Sequence, residues 1–186
     1  MSDMTAGAGE AYAACKTLFE DLNHLADDYR QAIRDTGVNL PKKEEYSYSP
    51  NELVMKRDHV WMSYRFDDNV LTFAAAYVIF EPATNHVKLG PAGRPEIWFL
   101  LGRAIRPRNN PAVAVRDMFM TAELPHFRPK LRMGGDIAYY DYDVPGERWS
   151  VVLLGLEIGD IDSSGTLHQR VIAPLRAAAS ERAIQL

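Results

Sequence analysis

Hydrophobic positions near the N-terminus recur at helical intervals. Ala11, Cys15, Leu18, Leu22, Leu25, Tyr29 and Ala32 are separated by 4, 3, 4, 3, 4 and 3 residues, the heptad spacing that keeps apolar side chains on one helix face. Tyr12, Phe19, Ala26 and Ile33 repeat every seven residues beside that seam and widen the stripe. The pattern predicts a helix over 9–36, stopped by Gly37 as a C′ glycine with Pro41 just beyond. Residues 1–8, small and polar, are expected to be disordered. The stretch KKEEYSYSPNE (42–52) reads as a polar connector.

The period then changes from helical to alternating. HVWMSYRF (59–66) sets Val60, Met62, Tyr64 and Phe66 against Trp61, Ser63 and Arg65, as in a half-buried strand. Asp67-Asp68-Asn69 is a turn signal. VLTFAAAYVIF (70–80) is apolar on both faces and reads as an interior strand, and EIWFLLGRAI (96–105) as a third, with a short strand near 86–89 between them. Asn110-Pro111 is an N-cap followed by an N1 proline. It opens a helix over 111–123 expected to bury Val115, Met118, Phe119 and Ala122. LPHFRPKLRMGG (124–135) reads as irregular. DIAYYDYD (136–143) and RWSVVLLGLEI (148–158) form a hairpin around Val144-Pro145-Gly146, and a C-terminal helix kinked at Pro174 follows.

This order predicts an α+β fold: an antiparallel meander with a long N-terminal helix, a middle helix and a C-terminal helix. Residues 9–186 form a single domain. In element order alone, with its acidic bias, the chain is loosely similar to small secretion-chaperone folds.

Composition narrows the class only slightly. The chain has 186 residues, 47% hydrophobic and 25% charged, ordinary globular values. No apolar run approaches the ~20 residues of a membrane span. One cysteine, Cys15, forbids an internal disulfide and suits a reducing compartment, so a soluble cytoplasmic protein is expected. The formal charge of −4 is uneven. Residues 94–132 hold eight basic and three acidic residues, net +5, which leaves −9 elsewhere. Arg106, Arg108, Arg128 and Arg132, beside a helix start, make the candidate anion site.

Candidate chemistry is sparse. GDIDSSGTLHQR (159–170) resembles half a calcium loop, but the twelfth position, where a bidentate glutamate belongs, is Val171. Thr166 and Gln169 match a capping box instead, so no metal site is expected. Asp136 or Asp143 with Glu157 resemble the carboxylates of a metal nuclease, without the lysine that completes the pattern. No nucleophile elbow, paired-histidine motif or phosphate loop occurs. The first expectation is therefore a non-enzymatic binding or adaptor protein without a cofactor. It is expected to be homodimeric through Leu18, Leu22, Leu25 and Tyr29, with room for a protein partner and with neither membrane nor nucleic acid as a partner. No catalytic residue is assigned. The alternatives are a metal-dependent hydrolase using acids of the 136–162 hairpin, and an anion or nucleic-acid binder through 102–132.

Overall fold

A computed structural model describes residues 2–48, 58–80, 96–107, 110–118, 131–134, 137–158, 161 and 163–184. Helix α1 spans Ser2–Asp35. Strands β1 (Lys42–Tyr48), β2 (Asp58–Asp67), β3 (Val70–Ile79) and β4 (Glu96–Ile105) follow, then helix α2 (Pro111–Asp117). Strands β5 (Leu131–Gly134), β6 (Ile137–Val144) and β7 (Glu147–Glu157) lead to α3 (Ser164–Leu167), a π-helical turn (His168–Ile172) and α4 (Ala173–Glu181). All strands join one antiparallel sheet in the order β1-β2-β3-β4-β7-β6-β5. The fold is α+β, as the hydrophobic pattern predicts.

Tight turns join the long strands. Asp68 and Asn69 both take positive φ, 46° and 68°, between β2 and β3, the left-handed pair that a two-residue hairpin demands and that Asp and Asn tolerate. Gly146 takes φ 89° between β6 and β7.

Strand alternation sends side chains to two separate cores. On one face Trp61, Ala74, Ala76, Val78, Ile97, Phe99, Leu101, Val152 and Leu154 meet Leu22, Ala26, Tyr29 and Ile33 of α1. Leu167, Val171, Ile172, Leu175 and Ala179 of the C-terminal helices complete that layer. On the other face Phe73, Tyr77, Trp98, Leu100, Trp149, Val151 and Leu153 pack with Ala112, Val115 and Met118. Burial on both faces explains why β3 and β4 are apolar throughout rather than alternating.

Several boundaries depart from the sequence reading. The first helix starts at Ser2, not residue 9; once the amphipathic stretch is helical, adding residues at its end needs only propagation and no new nucleus. The expected connector at 42–52 contains strand β1, because backbone pairing to β2 over Lys42–Tyr48 needs no apolar side chain. Within the segment read as irregular, Leu131–Gly134 form β5 on β6. Helix α2 is observed over Pro111–Asp117, and the expected burial of Phe119 and Ala122 and the strand near 86–89 lie outside the described residues. The C-terminal helix widens into its π turn immediately before Pro174. A proline has no N–H to give the preceding turn, and the wide turn takes up that interruption.

Candidate functional site

Helix α1 organises the polar chemistry of the helical face. Its core edge is Leu22, Ala26, Tyr29 and Ile33, each at most 3% exposed. The Tyr29 hydroxyl donates to the Leu100 carbonyl at 2.7 Å, and its ring lies 4.9 Å from that of Phe99. Burial pushes the Tyr29 phenol well above its ordinary pKa, because the phenolate would be stripped of water.

One flank of α1 rests on the β1–β2 edge through polar groups. Trp61 Nε1 donates to Asn23 Oδ1 at 2.6 Å, and Arg34 Nη2 donates to Ser63 Oγ at 3.3 Å. His59 is wedged between Phe19 and Trp61, with ring centroids 5.2 and 4.1 Å away, and its Nε2 is 4.0 Å from Glu45. Arg30 lies on the same flank with its guanidinium buried and Nη2 bonded to Asp27 Oδ1. Lys43 Nζ of β1 reaches the same oxygen at 3.3 Å. Burial alone would raise the Asp27 carboxyl; the Arg30 and Lys43 charges outweigh it and hold the group below its ordinary range.

The opposite flank borders a cleft of about 190 Å³. Asp21, His24, Leu25 and Asp28 form its α1 wall, and Ile161, Ser163, Ser164 and Leu167 the facing wall. Ser163 caps the facing helix: extended at φ −158°, its hydroxyl accepts from the Thr166 N–H at 3.2 Å. The cap thus falls three residues before the Thr166 expected to fill it, which is already helical. Val171, at the twelfth position of the calcium-loop reading, is fully buried in the core. Among the described residues, no group of three or more His, Cys, Asp or Glu is placed to hold a metal ion.

The second sheet face repeats one device at opposite ends. Glu96 and Glu147 are buried, and each accepts from the indole two residues along its strand, Trp98 at 3.2 Å and Trp149 at 2.8 Å. Asp58, also buried, accepts from the Tyr77 hydroxyl at 2.9 Å. Register puts Asp58, Ile79, Glu96 and Glu157 in one row across β2, β3, β4 and β7. A Glu-x-Trp pair within a strand is visible in sequence; that both members are buried is not.

The sequence candidates are dispersed. Arg106 is exposed with φ 53°; Arg108 and Arg128 lie outside the described residues, as does the side chain of Arg132 on β5. Of the proposed interface, Leu22 and Tyr29 belong to the chain's own core, while Leu18 and Leu25 are partly buried against it. Among the hairpin acids, Asp143 pairs with Arg148 at 2.9 Å and Asp141 with Arg182, whose guanidinium also lies 4.2 Å over the Tyr139 ring. Asp136, Asp160 and Asp162 lie outside the described residues. No helix among the described residues is long and apolar enough to cross a membrane.

Comparison with known protein families, with characterised proteins and with solved structures finds no match.

Proposed function

We propose that this chain is a non-enzymatic binding protein that works as a homodimer, two copies being joined through the N-terminal half of α1. The observation that supports this is the reach of α1. Its 34 residues extend about 51 Å at 1.5 Å per residue, whereas the 10-residue strands beneath it run about 34 Å. Among the described side chains of α1, Leu18 is the first to pack against the core, while Glu10, Ala13, Ala14, Lys16 and Thr17 are exposed.

An isolated helical segment of about 12–15 residues is marginal in water, so the part of α1 ahead of Leu18 gains stability from a surface that covers it. The stripe that becomes core at Leu22 runs back through Leu18, Cys15 and Ala11 at the same 3–4 spacing, so a second copy of the stripe has the right period to cover it. The lone cysteine fits a cytoplasmic setting, where thiols stay reduced.

Sedimentation of the full chain and of a variant lacking residues 2–14 tests the reading. A dimer that becomes a monomer, losing only the helical circular dichroism of the deleted residues and keeping a cooperative melt, is expected. A full chain that is monomeric at high micromolar concentration ends the proposal.

A further inference from the structure

A buried cation and an edge strand share one carboxylate. The Arg30 side chain is 2% exposed, and a guanidinium keeps its charge throughout the pH range of folded proteins. Its Nη2 donates to Asp27 Oδ1, while Nε and Nη1 have no acceptor among the described residues. Lys43 Nζ, on β1, donates to that same oxygen. Asp27 itself is 54% exposed. Strand β1 is outermost in the sheet and pairs with β2 alone.

We propose that Asp27 is a latch: its carboxylate neutralises the Arg30 and Lys43 cations at the seam between α1 and the edge strand β1, and loss of its charge while Arg30 keeps its own frees β1 and leaves the rest of the sheet closed. Two cations meet at this carboxylate, Arg30 from α1 and Lys43 from β1, while Arg34 of α1 is bonded to Ser63 of β2. Glu45 of β1 is the other acid there, beside His59 of β2; Ser63 and Trp61 of β2 complete the contact and are already bonded to Arg34 and Asn23. Without the Asp27 charge, Lys43 is repelled by Arg30, with which it shares that oxygen. Arg30 must then draw water into the seam, because a buried charge without a counter-ion is strongly unfavourable. The strand that gives way is β1, which carries Lys43 and is held in the sheet by its ladder to β2 alone.

The direction with pH follows. The folded carboxyl titrates below its ordinary value, so the latch is shut throughout the neutral and mildly acidic range and opens as pH falls below about 4.

Hydrogen exchange with mass-spectrometric readout tests this on the full chain. At neutral pH, Asp27→Asn should speed exchange of the Lys42–Tyr48 amides by about tenfold or more and leave β3, β4 and β7 as in the wild type. Adding Arg30→Met to Asp27→Asn should restore protection of β1, because the stranded charge is gone. In the wild type, pulse labelling corrected for intrinsic rates should show β1 opening before β4 as pH falls. The latch is overturned if Asp27→Asn protects β1 normally, if all strands loosen together, or if β1 and β4 open together in acid. Should the single variant not fold, the double variant decides: folded with β1 protected supports the latch, and anything else overturns it.

Discussion

Leu22→Glu separates a seam that holds two chains from one that holds a single chain together. Leu22 is 3% exposed and lies among Ala26, Tyr29 and Ile33 beneath the sheet. The substitution forfeits the roughly 1.5–3 kcal/mol gained by burying a leucine side chain. It also puts a carboxyl among the apolar residues of that core. Such a group escapes by staying protonated, and a pKa raised by about three units corresponds to about 4 kcal/mol at neutral pH. Together the two effects come to about 5.5–7 kcal/mol, against a total of roughly 5–15 kcal/mol for a domain. The variant should therefore be unfolded or barely folded at pH 7 by circular dichroism. The sign with pH is fixed by the raised pKa: the penalty is full above it and fades as pH falls through it, so the melting temperature should rise between pH 7 and pH 5, relative to wild type. A folded, monomeric Leu22→Glu protein with a wild-type melting temperature at pH 7 would refute the assignment of Leu22 to the private core.

Other positions give sharper local tests. Tyr29→Phe removes the bond to the Leu100 carbonyl and should cost about 1 kcal/mol in a denaturant titration. Because the folded phenol is raised, wild-type stability should be level below the ordinary tyrosine value of about 10 and decline above it, and Tyr29→Phe should lack that contribution. A Cβ at Gly102 would stand 2.9 Å from Val151 Cγ2 and 3.0 Å from the Ser150 carbonyl oxygen, so Gly102→Val should destabilise by about 1–3 kcal/mol or more through overpacking, read from thermal melts. Ser163→Ala removes the helix cap and should cost about 1 kcal/mol. Calcium at up to millimolar concentration should give no saturable heat in calorimetry, since position twelve of the loop reading is a core valine.

The span of β2 is legible from the alternation of Val60, Met62 and Tyr64 with Trp61 and Ser63, although the structure buries Trp61 and Ser63 as well. Those of β3 and β4 are legible as apolar runs between turn signals, because both of their faces are buried. Strands β1 and β5 were opaque for the opposite reason: at a sheet margin, backbone pairing fixes the strand and leaves side chains unconstrained. The seam on α1 was legible as a stripe, but a stripe does not name what covers it, and Leu22 and Tyr29 face the chain's own sheet. Arg30 carried no signal at all. It occupies a position between the repeating apolar pair Ala26 and Ile33 and the solvent, and only packing against β1 and β2 makes it a buried charge.

The margins of the sheet also govern what it cannot do. An unpaired strand edge is a template on which other chains build fibrils. Here one margin carries Lys42, Lys43, Glu44 and Glu45 in succession, and the other is a strand of four residues. Neither offers a flat apolar ribbon, so another sheet approaching from the side meets hydrated charge on one border and too short a ladder on the other. The many apolar residues of β3 and β4, which alone would be hazardous, are kept at least two strands in from either margin. Amyloid-type stacking on the native sheet is thereby disfavoured, and replacing Lys42, Glu44 and Glu45 by threonine, with Lys43 kept, should promote it.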